Sequence, residues 1–381
     1  MTRPTRTQPI PPIEVALGAR TYRILITSDD PAPFGPFLRE SLDASWAGRA
    51  CRNALVVADS GSRPHVDPLL PALAAHGIEP RLHIVPAGEP SKSIEQAERL
   101  WEALAAMKAD RHAAVVAVGG GVIGDLAGFA AATYARGLPL VMVPTTLLAM
   151  VDSAVGGKVG INLPQAKNIV GAFHQPAAVW IDTASLATLP VREFRCGLAE
   201  VVKYGVILDA DFFADLERDV EPILAHDPAT LGALIARCCA LKAQVVSQDE
   251  REESGLRAVL NFGHTIGHAV ESVAGYGGRY LHGEAVSIGM VLESTLAERL
   301  GWIGPDVTDR ISALLQRFGL PTVLDGTEPA MLLEAMTRDK KNQHGAIRFV
   351  LPTRLGSVTL TDAASVENVL SVLATRRASP E

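Results

Sequence analysis

The chain has no run of eighteen apolar residues, about the length a membrane-spanning helix needs, so the sequence offers no membrane partner. It has no block of basic residues either. Its 35 Lys and Arg are outnumbered by 42 Asp and Glu, and a formal charge of -7 with a pI near 5.8 argues against nucleic acid as a partner. Cysteine is scarce. Cys51, Cys196, Cys238 and Cys239 lack zinc-ribbon spacing, and the adjacent Cys238 and Cys239, on an expected helix, read as small buried apolar residues. That usage suits a reducing cytoplasm, which is the expected location. The opening stretch, MTRPTRTQPIPP, lacks the apolar segment of a secretory signal and reads as a disordered leader over 1–12. There is no internal repeat and no low-complexity segment. What remains is 381 residues, 48% hydrophobic and 20% charged, enough for one large or two medium domains with an ample core.

Two patterns divide the chain. Residues Ile13 to Ile26 suggest an opening strand pair around Gly18. Short apolar runs then recur at Ala54–Ala58, Arg81–Val85, Ala113–Val118, Leu140–Val143 and Val179–Ile181, with helical stretches Ser93–Met107 and Asp125–Tyr134 between them. Strands alternating with helices mean βαβ units and a mainly parallel, Rossmann-like sheet. After about Arg192 the pattern is helical, broken at Pro222, Pro228, Gly255, Gly277–Gly278 and Gly301–Pro305. One late hairpin, Ile347–Leu351 with Val358–Leu360, is the exception. The expected architecture is an α/β nucleotide-binding domain over 13–190 and an all-helical metal-binding domain over 191–381. In open α/β sheets ligands sit at the carboxyl ends of the strands.

Several strand ends carry chemistry. Gly119-Gly120-Gly121-Val122-Ile123-Gly124-Asp125 follows a strand and opens a helix. Glycines let backbone approach a pyrophosphate, and a helix N-terminus supplies N–H donors and a positive dipole end. The plain alternative is a tight strand-to-helix turn; strand, glycines and helix together favour the phosphate. Gly88-Glu89-Pro90-Ser91-Lys92 forms another such turn, with Ser91 or Ser93 as helix cap. Glu89, and Asp59 after an earlier strand, are candidates for ribose hydroxyls, although a charged turn is usually just solvated. Thr145 and Thr146 follow a strand end. Asp152, the Gly156-Gly157 pair, Lys158 and Lys167-Asn168 come next, a set suited to phosphate or carboxylate.

The second half holds a different set. His264 and His268 are four residues apart, on one helix face, and His282 precedes another helical run. Two imidazoles and a distant carboxylate can make a catalytic metal site, and three unremarkable histidines are the competing reading. Glu200 and Lys203 share a helix face; an intrahelical ion pair is the ordinary explanation, and third metal ligand is the functional one for Glu200.

Taken in order, GGGVIGDLAGFAAATYARG, VPTTLLAMVDSAVGGKVGIN, KNIVGAFHQP, LAEVVKYG, LNFGHTIGHAVE, LHGEAVSIGM and RDKK make the chain resemble the 3-dehydroquinate synthases, from about Ile13 to the last hairpin. The resemblance implies a zinc- and NAD-dependent cyclase, with cobalt as a substitute metal. It would convert 3-deoxy-D-arabino-heptulosonate 7-phosphate to 3-dehydroquinate and phosphate, in the shikimate pathway. It implies Glu200, His264 and His282 as metal ligands, with His268 left for proton transfer or phosphate contact. Asp152, Lys158, Asn168, Lys203, Lys242, Glu253, Arg257, Asn261 and one of Lys340 or Lys341 match substrate contacts, and Lys341 is taken. Arg136 matches an arginine that reaches the neighbouring subunit's site, which implies a homodimer. NAD would be held by Asp59, Gly88, Glu89, Lys92, Gly120, Gly121, Val122, Ile123, Gly124, Asp125, Thr145, Thr146, Lys158, Lys167, Ser185, Leu186 and Thr188. Two departures stand out. The run DEREESGLR is one residue longer than the usual pattern, so counting from Asp249 selects Glu252 and counting back from Arg257 selects Glu253; Glu253 is preferred. The loop before His282 is also one residue longer.

Three other functions compete. Cyclases of sedoheptulose 7-phosphate or glucose 6-phosphate act on substrates without a carboxylate, and the set Lys242, Arg257, Asn261 and His268 speaks against them. A metal-dependent polyol dehydrogenase would not need so many cations. A catalytically dead scaffold would have lost a metal ligand, and all three are in place.

Overall fold

In the computed structural model, residues 10–45, 50–275, 279–341 and 347–375 are described. Residues 1–9 of the expected leader and the Gly277–Gly278 pair lie outside them. The chain forms two compact units, 1–189 with 226–251 and 190–225 with 252–381.

In the first unit the strands, in chain order, are β1 (Ile13–Val15), β2 (Tyr22–Thr27), β3 (Asn53–Asp59), β4 (Glu79–Val85), β5 (Ala113–Gly119), β6 (Leu140–Pro144), β7 (Lys158–Leu163), β8 (Ala166–Phe173) and β9 (Ala178–Asp182). Seven of them make one sheet in the order β1-β2-β9-β6-β5-β3-β4. Every pairing in it is parallel except β1 with β2. All residues of β5, AAVVAVG, are buried, as expected of a central parallel strand covered on both faces. The edge strand β4 is partly exposed and carries Pro80 and Arg81, which blunt the edge. The chain leaves β3 in one direction for β4 and returns on the other side as β5. The strand order therefore reverses between β3 and β5, and in open α/β sheets such a switch point is where a ligand sits, at the carboxyl ends of the strands.

The β7–β8 hairpin is an addition to the expected strands. Its residues have weak alternation, and Gly160 and Gly171 face each other so closely that a Cβ on Gly160 would come within 2.7 Å of the Val170 carbonyl. Helix Gly121–Thr133 starts four residues earlier than expected, so the glycine turn is its own first turn.

Helix Pro228–Gln248 groups with the first unit, where the sequence reading had a single boundary at 190. Its residues Leu231, Ile235, Cys238, Cys239 and Val246 are buried, and it packs on β1, β2 and the turn Ala149–Ser153. The helix is long and apolar enough for a membrane span, with mean hydropathy 1.4, yet 61% of that window is buried within the protein. Ile10, within the expected leader, sits beside it: a Cβ on Gly232 would come within 2.9 Å of its side chain.

The second unit is built on helices Val191–Leu208, His264–Val273 and His282–Arg299, with Pro305–Arg317, Pro329–Lys341 and Val366–Thr375 around them. It is not all-helical. The late hairpin is present as β10 (Phe349–Arg354) and β11 (Ser357–Thr361), starting two residues beyond Ile347. Pro222 lies within the short helix Val220–Leu224 and does not break it, and Pro228 opens its helix, as proline at a first turn does. Ile266, Val270, Ile288, Leu292, Phe349 and Leu373 share this unit's core.

Candidate active site

The second unit brings three helices together at Glu200. Helix Val191–Leu208 carries Glu200 and Lys203 on one face, both buried, at 0% and 1% exposure. His264 is the first residue of its helix, after Gly263 in the left-handed region at φ 79. His282 is likewise the first residue of its helix and does not precede it. Glycine sets the spacing. Any Cβ on Gly283 would run into the backbone of Cys196, and any on Gly289 into the Gly263 carbonyl. Gly283 N–H donates to Cys196 Sγ at 2.9 Å, which joins the start of one helix to the flank of another.

Within this frame His264 Nε2 is 3.5 Å and His282 Nε2 3.6 Å from Glu200 Oε1. Both histidines turn their other nitrogen away. His264 Nδ1 is 3.0 Å from the Phe262 carbonyl, and His282 Nδ1 is 3.0 Å from Glu271 Oε2. Acceptors at Nδ1 assign the proton there and leave each Nε2 lone pair facing the carboxylate. Neither oxygen of buried Glu200 has a hydrogen-bond donor in good geometry, although the Lys203 ammonium lies in ion-pair contact with Oε2. A buried carboxylate without hydrogen bonds is costly. Two imidazole lone pairs and one such carboxylate, all within 4.8 Å of one another, fit a divalent metal with an open position.

The charges agree. Burial pushes the Glu200 carboxyl up, but Lys203, His264 and His282 together hold it well below the usual carboxylate range. His264 is pushed down to about 3, first by burial and then by Lys203. His282 rises to about 10 in spite of burial, because Glu200 and Glu271 both face it. Opposite shifts beside one carboxylate mean that the metal-free pair takes a single added proton, on His282 Nε2 in the place a metal would take, and its charge then disfavours a second.

His268 shares the helix with His264 but is exposed, its ring centroid 5.2 Å from that of His264 and 6.0 Å from that of His282. Arg257 is buried, with Nε 3.5 Å from Glu252 Oε1; Glu253 and Asn261 are exposed. The Lys341 side chain lies outside the described residues.

The first unit gathers the other set. The Gly119–Gly121 turn follows β5, and its glycines serve space, not a left-handed turn. A Cβ on Gly119 would meet Ile123 at 2.7 Å, one on Gly120 would meet Thr146 at 3.1 Å, and one on Gly121 would meet Ser153 at 3.2 Å. Val122, Gly124 and Asp125 are partly exposed at the start of the helix, and Ile123 is buried beneath them. Lys92, 5% exposed, contacts Asp125 Oδ2 at 2.7 Å and the Asn168 side-chain oxygen, with Glu89 at 3.9 Å. Burial raises the Asp125 carboxyl although Lys92 opposes it. Gly88 precedes them at φ 101, and Ser93 is the helix cap, accepting from Gln96 N–H. Asn162, which the sequence reading passed over, ties Glu89 to the β7–β8 hairpin: its Nδ2 donates to Glu89 Oε1 at 2.7 Å and its Oδ1 accepts from Asn168 N–H at 2.9 Å.

A cavity of about 250 Å³ opens at the carboxyl ends of β6 and β9, lined by Asp29, His65, Thr145, Trp180, Asp182 and Ser185. Thr188 Oγ1 is 3.1 Å from His65 Nε2, and Leu186 is fully buried behind it. Asp59 ends β3 and accepts from Ser62 N–H at 2.7 Å. Lys242 Nζ contacts Asp152 through its carbonyl at 2.6 Å and its Oδ1 at 2.5 Å. Lys158 opens β7 and is exposed; Lys167 is half-buried on β8. Ala135 and Arg136 both have positive φ, 49° and 66°, in a turn that exposes Arg136.

Sequence comparison adds a family. The family described as 3-dehydroquinate synthase N-terminal matches residues 82–196, and 3-dehydroquinate synthase C-terminal matches 197–342. The 3-dehydroquinate synthase of Rhodopirellula baltica is 45% identical over 98% of this chain and 100% of its own. That of Geobacter metallireducens is 47% identical over 94% and 98%. Among solved structures, 2-epi-5-epi-valiolone synthase from Streptomyces hygroscopicus subsp. jinggangensis, with NAD+ and Zn2+ bound, gives a TM-score of 0.82 at 29% identity over 93% of this chain and 96% of that one. A 2-deoxy-scyllo-inosose synthase complexed with carbaglucose-6-phosphate, NAD+ and Co2+ gives 0.82 at 28% identity over 95% and 99%.

Proposed function

The chain belongs to the 3-dehydroquinate synthase family, and from that premise we propose how its residues share the reaction. The substrate is 3-deoxy-D-arabino-heptulosonate 7-phosphate and the products are 3-dehydroquinate and inorganic phosphate. Bound NAD would supply a transient oxidation at a ring hydroxyl carbon, recovered within one turnover. A divalent metal would be held by Glu200, His264 and His282 and would supply Lewis acidity toward that hydroxyl.

The remaining work falls to protein side chains. Oxidation acidifies the neighbouring C–H; its proton passes to the substrate's own phosphate as base, and the C–O bond to phosphate breaks. Lys158, Lys203, Lys242, Arg257 and Lys341 offset the charge of carboxylate and phosphate, and Asp152, Asn168 and Asn261 orient hydroxyls. His268, exposed beside the ligand histidines, shuttles protons. Glu253 is the acidic contact by spacing, and the Arg257–Glu252 pair makes Glu252 its rival. The Gly120–Asp125 turn, Thr145, Thr146 and Lys167 bind the pyrophosphate of NAD, and Asp59, Gly88, Glu89, Lys92, Ser185, Leu186 and Thr188 surround the rest. Arg136, held outward by its strained turn, completes the site of a second copy in a homodimer. Four buried free thiols suit a cytoplasmic enzyme.

The observation that carries this reading is the convergence of two Nε2 atoms on the fully buried Glu200 carboxylate. The test is phosphate release from the heptulosonate phosphate with NAD at trace, catalytic amounts. Many turnovers per NAD are expected, without net NADH. Release in step with accumulating NADH would make the protein a dehydrogenase. Turnover of sedoheptulose 7-phosphate instead would move it to another cyclase.

A further inference from the structure

Each helix that begins with a ligand histidine also carries a carboxylate used by the other helix. Glu271, on His264–Val273, accepts from His282 Nδ1–H at 3.0 Å. Glu293, on His282–Arg299, accepts from Gly263 N–H at 2.7 Å and from Ile266 N–H at 3.2 Å, the backbone on either side of His264. Glu293 is 0% exposed and Glu271 8%. Helix His264–Val273 has no side-chain cap from its own chain segment, since Gly263 precedes it, and its first N–H groups need acceptors. Glu293 supplies them across the helix pair. Gly267 and Gly289 allow that reach: a Cβ on Gly267 would come within 3.1 Å of the Ala285 carbonyl.

We propose that Glu271 and Glu293 are positioning residues for the metal site, each fixing the ligand histidine that the opposite helix presents. The inference rests on the reading of Glu200, His264 and His282 as ligands. The two carboxylates act differently. Glu271 bonds the imidazole itself, so it fixes ring orientation and, being anionic, strengthens Nε2 as a donor. Glu293 bonds backbone, so it sets where His264 starts and leaves the donor strength of its ring alone. His264 has a neutral partner, the Phe262 carbonyl, in the place where His282 has a charged one. Glu271 has a rival role. It lies within 4.8 Å of ligand atoms of both His268 and His282, which could hold a second ion. That role needs the His282 Nδ1 lone pair, and a neutral ring whose Nε2 is a lone-pair donor keeps its proton on Nδ1.

The test is metal affinity, measured with Co2+ or Zn2+ alone against a chelator, together with the visible spectrum of the Co2+ form. The variants are Glu271→Gln, Glu271→Ala and Glu293→Gln. Glu271→Ala is expected to weaken binding about 10–100-fold and shift the Co2+ bands, with Glu271→Gln in between because it keeps an acceptor without the charge. Glu293→Gln is expected to weaken binding about tenfold or more with little change in the bands. NAD affinity of all three should match the unaltered protein. Unchanged Co2+ affinity and spectrum in Glu271→Ala would overturn its role. So would two ions per unaltered chain falling to one in that variant, since Glu271 would then be a ligand. Unchanged affinity in a folded Glu293→Gln would leave Glu293 structural only. Failure of the unaltered protein to bind an ion would instead remove the ligand reading on which the inference stands.

Discussion

The glycine turn of the first unit and the histidine cluster of the second solve opposite problems. The turn at Gly119–Asp125 is backbone: its glycines keep side chains out of the way of Ile123, Thr146 and Ser153. The buried Lys92 beside it already has two carboxylates and an amide around it. The cluster at Glu200 is side chain: a fully buried carboxylate, a buried ammonium and two imidazoles, held by carboxylates from crossing helices. A site made of backbone tolerates change in its polar neighbours but not added volume. A site made of buried charge tolerates neither loss nor neutralisation, because each charge is the solvent of the next.

The largest effect should therefore come from Glu200→Ala. It removes the counter-charge of Lys203, which is 1% exposed, and breaking a buried pair costs about 3–5 kcal/mol. Bound metal after desalting should fall to background, and chemical denaturation of the metal-free protein should show the stability loss in segments 191–208 and 264–273. Retained metal would take Glu200 out of the ligand set. Equal loss in the β5 segment of the first unit would break the contrast between the halves.

Gly119→Ala probes the other half. Its Cβ would meet Ile123, itself fully buried, at 2.7 Å, and overpacking of this kind costs about 1–3 kcal/mol. The first turn of helix Gly121–Thr133 must shift, so NAD affinity should drop about tenfold or more, at 1.4 kcal/mol per decade. Metal content should not change. Unaltered NAD affinity would show that this turn does not carry the dinucleotide.

The same contrast explains what was legible in the sequence. The sheet was readable because β3, β5, β6 and β9 are short apolar runs at regular intervals, and the glycine turn because glycine after a strand has a direct physical meaning. The β7–β8 hairpin was not, since Gly160, Gly171 and a polar tip hide its alternation. Helix Pro228–Gln248 was visible as a helix, but nothing in its pattern says which core it joins. Spacing placed His264 and His268 on one face, yet the structure half-buries the first against Glu200 and exposes the second. Glu200 was a ligand candidate from its own helix, with an ion pair to Lys203 as the ordinary reading, and only family resemblance tied it to His264, because they lie 64 positions apart and no local period links them. Glu271 and Glu293 were missed for a related reason. A glutamate within a helix reads as a solvated face, and only the crossing of two helices turns it onto an imidazole or a backbone N–H.

The smallest effect, and the one that separates the halves by sign, is pH. In the metal-free protein neutral His264 contributes stability above its ordinary value of 6.5, and this is lost as pH falls toward about 3. His282 is raised, so its contribution is full below 6.5 and is lost as pH rises toward about 10. Glu200 is depressed, so its contribution is full above 4.5 and is lost as pH falls through its folded value. The metal-free second unit should thus be most stable near 6.5 and weaken on both sides. Asp125 in the first unit is raised, chiefly by burial, so its contribution is full below 3.8 and is lost as pH rises through its folded value. Acid favours the first unit at that carboxylate while it weakens the second. Bound metal requires both imidazoles neutral, which removes the alkaline limb and makes the acid limb two protons steep. Hydrogen exchange of segment 264–273 against pH, with and without Zn2+, reads this directly. An alkaline limb that persists in the Zn2+ form would mean His282 keeps its proton and is not a ligand.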